Sequence, residues 1–492
     1  MNAGRVLLTN PTITSRRSAR FPLSLLSLAA ALAPRWSCRI VDGNVDRDYL
    51  ATIRRCLAEE RFVAVGISVM GGPQLRPAID ASMAVRAAHA STPIIWGGYF
   101  PTLYTGAALN ASYVDYAVRG PGEQAFAELL DALGSGDHGR LDAIAGLAFR
   151  REGSLVRTAG RRIADGRTDE LLPYELLGDP RAYLARTFLG KRTAAHQAAI
   201  GCRFRCTFCG VAGMFRGATA LPPARRLERD LTYLKEELGA DSIQYFDHNF
   251  FDREVEMMPL LEVMARVQLP WWCYARADAL LNLSAEAWTL VRRSRLRMAY
   301  IGAESPNDAM LKSIRKGTRS DQTLAVAELC RQHDVVPELS FMVAPPEDTE
   351  AATEQTFEFI REVKRINPKA EIIVYIYTPL PHAGTRLANA DGGELQFPQS
   401  PEEWAQRRWV DYACHADAPW VSERLRRRIE NFVTVLGCRF PTAQDTRMSP
   451  WARSALSALA YWRYGARRYD RPWELSLLQK LLRPARPQLT GI

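Results

Sequence analysis

The chain has no apolar run long enough to cross a bilayer. The longest one near its start, Phe21 to Pro34, falls short of the roughly 20 residues that a span needs and lacks a signal-peptide pattern. It reads as a buried helix, and the expected location is the reducing cytoplasm. Cysteine is sparse: nine in 492 residues, an odd number that argues against a disulfide framework. No Gly-x-Gly-x-x-Gly follows the first apolar strand, where Asn10-Pro11-Thr12 stands instead, so a dinucleotide is disfavoured there. Internal repeats and low-complexity segments are absent as well, leaving a chain of ordinary globular composition and a length that suits two to four domains.

Three of the nine cysteines fall inside eight residues, Cys202-Arg-Phe-Arg-Cys206-Thr-Phe-Cys209. Three thiolates so close suit a metal centre but leave a four-ligand zinc site one short. Cys273 is far along the chain, and no Cys-x-x-Cys or His-x-x-x-His partner is present. A redox dithiol at Cys206 and Cys209 leaves Cys202 unexplained. A [4Fe–4S] cluster on three cysteines keeps one iron open. The spacing, with Phe208 just before the third cysteine, resembles the signature of the radical S-adenosylmethionine (SAM) superfamily. The resemblance implies that Cys202, Cys206 and Cys209 hold the cluster, with the open iron chelated by the amino and carboxylate groups of SAM. The remaining cysteines (Cys38, Cys56, Cys273, Cys330, Cys414, Cys438) read as small buried apolar residues.

The first 145 residues alternate short apolar strands with helices. Arg5–Thr9, Cys38–Asp42, Val63–Ser68, Ile94–Gly97 and Tyr113–Val118 read as strands, continuously apolar as parallel strands covered on both faces should be. The spacing is that of βαβ units and predicts a Rossmann-like sheet, with a ligand at the carboxyl ends of its strands. Glycine-rich loops follow those strands: Ser68-Val-Met70-Gly71-Gly72, Gly97-Gly98-Tyr-Phe-Pro101-Thr102 and Arg119-Gly120-Pro-Gly122-Glu123. Together these loops resemble the cobalamin-binding domain that precedes many radical SAM domains. That implies contacts from Thr9, Ser68, Met70, Gly97, Gly98, Gly120 and Glu123 to cobalamin. The family often has Arg-Gly-Glu-Gly-Glu where this chain has Arg119-Gly-Pro-Gly-Glu123. The Asp-x-His-x-x-Gly motif of some cobalamin proteins is missing, and the only histidines of this region are His89 and His138. Cobalamin is then expected without a histidine below the cobalt, which favours cycling through four-coordinate, nucleophilic cob(I)alamin.

After an arginine-rich connector (146–192), strand and helix alternate again over 193–397. Ala195–Ile200, Ser242–Asp247, Trp271–Arg276, Met298–Glu304, Glu338–Val343 and Glu371–Tyr377 are the expected strands, and Leu227, Leu231, Leu234 and Leu238 fall on one helical face. Six such units resemble the partial (β/α)6 barrel of radical SAM enzymes, with chemistry where the strands end. The resemblance implies that Asp247 meets the methionine amine of SAM and Arg276 its carboxylate. Glu304, in a GxES-like segment, takes the ribose or amine, Ser340 the ribose, Phe208 the adenine, and Gly210 lies beside SAM. His248 reads as a structural hydrogen-bond donor beside aromatics. Lys312 to Thr318 resembles the family's KGT loop, and Tyr375 to Thr385 its YTPxPGT segment with His382-Ala383 inserted.

From 398 onward the chain is helical, aromatic and basic. Residues 421–492 hold 14 Lys and Arg against 5 Asp and Glu, so this tail carries nearly all of the formal charge of +10. A helical cap over the barrel is the expected structure, with no nucleic acid bound. The helix Trp473 to Leu482 places Leu475, Leu478 and Leu482 on one face and suggests peripheral membrane contact.

The expected whole is an α/β protein: an N-terminal Rossmann-like cobalamin-binding domain, a central partial (β/α)6 radical SAM barrel and a C-terminal helical cap. The resemblance implies reductive cleavage of SAM to a 5′-deoxyadenosyl radical, and methyl transfer through methylcobalamin to an unactivated carbon of a small hydrophobic molecule. An electron donor such as flavodoxin or ferredoxin is implied too. The rival readings are a non-methylating cyclase or rearrangement enzyme resembling anaerobic magnesium-protoporphyrin ester cyclase, the same radical chemistry with a cobalamin-free first domain, and a non-catalytic metal protein with a nucleic-acid-binding tail.

Overall fold

The computed structural model describes residues 4–163, 171–381 and 393–482. Strands β1 (Arg5–Asn10), β2 (Ser37–Asp42), β3 (Ala64–Ser68), β4 (Ile94–Gly97) and β5 (Tyr116–Val118) are parallel neighbours in the order β2-β1-β3-β4-β5. Val6, Leu7, Leu8, Val65, Ile94 and Trp96 are almost wholly buried, because helices cover both faces of the sheet. The sheet then continues past residue 145. β6 (Leu147–Arg151) pairs antiparallel with β5, and β7 (Ser154–Arg157) with β6, so the start of the expected connector is sheet. The apolar run near the start forms the helix Leu23–Leu32 inside this domain.

The second sheet contains β8 (Thr193–His196), β11 (Ser242–Tyr245), β12 (Trp271–Ala275), β13 (Leu296–Glu304), β14 (Val336–Val343) and β15 (Glu371–Ile376). All are parallel, in the order β15-β14-β13-β12-β11-β8, which makes an open six-stranded barrel. Alternate residues separate its two faces. Ile243, Tyr245, Trp271, Ile301, Leu339 and Phe341 join the core under the helices, while Trp272, Met298, Tyr300 and Ile373 form a second cluster within the curve of the sheet. Leu227, Leu231, Leu234 and Leu238 are all buried, as their spacing requires, although the helix from Ala224 widens into a π-turn at Tyr233–Glu237. Between β8 and β11 lies a small ribbon, β9 (Ile200–Gly201) with β10 (Thr219–Ala220).

The tail divides its tryptophans. Trp404, Trp409 and Trp420 are buried in the cap, but Trp451, Trp462 and Trp473 face solvent. In the last described helix the structure reverses the expected polarity. Leu475 is fully buried and Leu478 packs against the same core, so those two residues of the expected face are packed, while Leu482 at the end of the helix is 45% exposed. The outward stripe is Trp473, Leu477 and Leu481, at i, i+4 and i+8. Among the described residues no helix is long and apolar enough to cross a membrane.

Candidate active site

The cysteine loop hangs between β9 and the helix Gly210–Phe215. Its own backbone tightens it, with the Cys209 amide donating to the Cys206 carbonyl at 3.2 Å. Thr207 N donates to Ile314 O at 3.0 Å, which ties the loop to the start of the KGT turn. Asp247, just past β11, accepts from the Ala199 amide at the foot of the ribbon, so its carboxylate already holds the approach to the loop. Cys206 is buried, and Cys202 and Cys209 are half-buried. Burial pushes the Cys209 thiol up to about 11; the Val211 amide opposes this, and the Cys206 and Cys202 thiols add to it. Ligation would therefore displace protons from this loop.

Among the described residues no three His, Cys, Asp or Glu side chains converge as ligands of a single ion. A cubane takes one thiolate on each of three irons, and so spreads its ligands further apart than one ion does.

Around the loop, the expected SAM residues form a linked set. Arg276 makes a two-pronged contact with Asp278 at 2.9 and 3.0 Å, donates to Lys316 O at 2.7 Å, and lies 3.5 Å from the Phe204 ring centroid. Glu304 ends β13 at a positive φ of 64° and receives the Lys316 ammonium at 2.7 Å, with both side chains only 8% exposed. Gly302 makes room for that pair: a Cβ there would lie 2.1 Å from Glu304 Oε1 and 2.5 Å from Lys316 Nζ. Lys316 is the residue that sequence reasoning missed, and the KGT resemblance was its signal. Phe208 packs beside Leu311, Ile314 and Met342. Ser340 is buried and bonded to the Tyr300 hydroxyl, further down the barrel than the rest. His248 sits 5.2 Å from the Phe215 ring. His382 to Thr385 lie outside the described residues.

Gly210 has a close neighbour in the N-terminal domain. A Cβ on it would come within 2.2 Å of the Tyr99 ring of the N-terminal domain, and one on Gly213 within 2.6 Å of Leu103. The short helix Tyr99–Leu103, at the carboxyl end of β4, thus seats on the helix that follows the cysteines. Gly120, at φ 73°, comes close to Met214 O on the same helix. These contacts bring the ligand end of the first sheet up to the cysteine loop.

That end carries the features of a ligand site in an open α/β sheet. β1 lies between β2 and β3, so the strand order switches there and opens a crevice. Thr9 is fully buried, and its hydroxyl has no hydrogen-bond partner among the described residues. A Cβ on Gly97 would meet nothing within 4 Å. Met70 is unusually exposed for its type, while its amide donates to Gln74 at 2.8 Å. Ser68 stands half-buried at the end of β3, and Gly98 takes φ 99° at the end of β4. Glu123 accepts from Ser27 at 2.8 Å and so is engaged within the domain. His89 and His138 are exposed and follow helices that run back from this end, so the domain presents no imidazole to the crevice. The residues fit a cobalamin bound without protein histidine.

The B12 binding domain family matches residues 11–130, and the Radical SAM superfamily matches residues 198–360. The anaerobic magnesium-protoporphyrin IX monomethyl ester cyclase of Synechocystis sp. is 24% identical over 429 residues, which covers 85% of this chain and 83% of the cyclase. Among solved structures, the radical S-adenosylmethionine methyltransferase TsrM of Kitasatospora setae, with tryptophan substrate and aza-SAM bound, has a TM-score of 0.67 at 17% identity. The match covers 97% of this chain and 99% of TsrM. The cobalamin-dependent S-adenosylmethionine radical enzyme OxsB gives a TM-score of 0.68 at 13% identity, over 97% of this chain and 75% of OxsB. This chain therefore joins a B12-binding domain to a radical SAM domain. It is a cobalamin-binding radical SAM enzyme whose cofactors are cobalamin, SAM and a [4Fe–4S] cluster.

Proposed function

We propose that the chain is a methyltransferase acting on an unactivated carbon of a small, largely apolar molecule. The observation that carries this reading is the seating of Tyr99 on Gly210, which joins the cobalamin crevice to the cysteine loop. When bound, the cofactors supply reductive cleavage of SAM and a transferable methyl group. The protein's part is placement and exclusion of water. Cys202, Cys206 and Cys209 hold the cluster. Asp247, through Ala199, and Arg276, through Phe204 and Lys316 O, fix the loop that bears it. The Glu304–Lys316 pair sets a carboxylate and an ammonium at the strand ends, where the amino acid and ribose of SAM require polar partners. Buried Trp404, Trp409 and Trp420 pack the cap onto the first domain and the barrel, with Trp404 on Tyr104 and Trp420 donating to Ala344 O.

A second reading, oxidative ring closure without methyl transfer, is favoured by the likeness to the Synechocystis cyclase. Anaerobically reconstituted protein, given cobalamin, SAM and a strong reductant, separates the two by mass spectrometry. Methyl transfer is expected to yield both 5′-deoxyadenosine and S-adenosylhomocysteine, with Cys206→Ala losing the former alone. Deoxyadenosine without homocysteine supports ring closure. Neither product, from protein with a verified cluster and bound cobalamin, overturns both readings.

A further inference from the structure

The inner face of the barrel carries a run of rings. Phe246 lies 5.7 Å from Trp272 and 6.3 Å from Tyr274, and Tyr274 lies 5.1 Å from Tyr300. The Tyr300 hydroxyl meets the Tyr375 hydroxyl at 2.9 Å. The run therefore crosses the barrel from the end of β11 to β15. Its two ends differ in charge. At the β15 end the His415 ring lies 6.0 Å from Tyr375 and bonds Thr378, and burial holds it down to about 4, so the imidazole stays neutral at physiological pH.

At the β11 end a cation arrives from the other domain. Arg20, on the segment leading from β1 to the helix Leu23–Leu32, places its guanidinium 4.5 Å from the Phe246 centroid. Arg276 and Lys316 are committed to Asp278 and Glu304. Arg20, partly buried, has no carboxylate partner among the described residues; its recorded neighbours are the Phe246 ring and Tyr274. Removing a guanidinium from water without a counter-charge is costly, and arginine does not escape the cost by losing its proton. Its planar fork matches an oxyanion in two-pronged geometry.

We infer that Arg20 receives an oxyanion of the substrate, carboxylate or phosphate, while the substrate's apolar or planar body lies along Phe246 and Tyr274. Arg20 is thus a recognition residue that the cobalamin domain lends to the barrel, and it orients the substrate by its charged end. The inference rests on the barrel interior being the substrate chamber, as the proposed function requires.

The test is calorimetric binding to the full chain loaded with its cofactors. The probes are 1-naphthoate and 1-naphthyl phosphate, against neutral 1-naphthylmethanol. At least one anionic probe is expected to bind about tenfold tighter than the alcohol, the worth of one charge-assisted contact. Arg20→Gln is expected to erase that preference and leave the alcohol's affinity unchanged, and Arg20→Lys to keep part of it. The better anion identifies the group. The inference is overturned if wild type shows no anion preference, if it binds none of the probes, or if the preference survives in folded Arg20→Gln. Because binding is read without turnover, its failure is separate from a failure to form S-adenosylhomocysteine.

Discussion

The Lys316 ammonium stands 2.7 Å from Glu304 Oε1 inside the barrel mouth, and Gly302 leaves the space that both occupy. A buried pair of this kind is weak evidence for stability while intact, yet costly to break, about 3–5 kcal/mol, because the surviving charge is left alone. Lys316→Met should therefore destabilise the fold by that order, and Lys316→Met with Glu304→Gln by clearly less than the sum of the single changes. Urea unfolding of the four proteins closes the double-mutant cycle. Additive losses would mean that the two groups do not act as a pair.

Gly210 is required by its neighbour rather than by its backbone conformation. Gly210→Ala drives a methyl into the Tyr99 ring, and overpacking of this kind costs about 1–3 kcal/mol. The expected result is a lower melting temperature and faster proteolysis between the two domains, both relieved when Tyr99→Ala is added. A Gly210→Ala protein as stable as wild type would rule out the contact.

Two buried groups give the stability opposite pH dependences. Glu338, bonded to Trp272 Nε1 at 3.0 Å and Gln444 Nε2 at 2.6 Å, is pushed by burial from 4.5 up to about 8. Through that window the folded chain keeps a proton that the unfolded chain has released, so stability falls as pH rises. His415 is pushed by burial from 6.5 down to about 4. There the unfolded chain takes up a proton that the folded chain refuses, so stability falls as pH drops. Each effect is on the order of a few kcal/mol at full extent. The windows overlap between 4.5 and 6.5, where the two slopes oppose. Glu338→Gln should remove the decline between 6.5 and 8 and unmask a loss of stability as pH falls below 6.5, and His415→Asn should abolish that acid loss and leave stability rising as pH falls, in melting curves taken across both windows. Unchanged slopes would contradict the assignments.

What the sequence disclosed and what it hid divide by distance along the chain. The three cysteines lie within eight residues, and the strands are continuous apolar runs, so both could be read from local pattern. The hairpin of β6 and β7 escaped because Arg150, Arg151 and Arg157 on a sheet edge look like the arginine-rich connector around them. Arg20 follows two other arginines in a loop with no motif, and only the fold shows that it lies over Phe246, far along the chain. Asp247, Arg276 and Glu304 were legible as polar groups at strand ends. Their partners Ala199, Phe204 and Lys316 come from other loops, which composition and periodicity do not connect. The outward Trp473, Leu477 and Leu481 were hidden because the last helix is apolar on two sides, and spacing alone does not say which side packs.

The C-terminal segment touches both the first domain and the barrel. Glu402 accepts from Tyr113 of the first domain at 2.7 Å, and Cys414 lies over Gly72. The His415 carbonyl takes the Ile376 amide at the free edge of β15, and Trp420 donates to Ala344 at 3.0 Å. At the barrel base, Ala443 and Gln444 reach Glu371 and Glu338. All of these residues leave the ribosome after the sixth strand of the barrel. During synthesis both sheets are therefore complete while the passage between them is still unlatched. The contacts by which the cap ties the first domain to the barrel are thus the last that the growing chain can make.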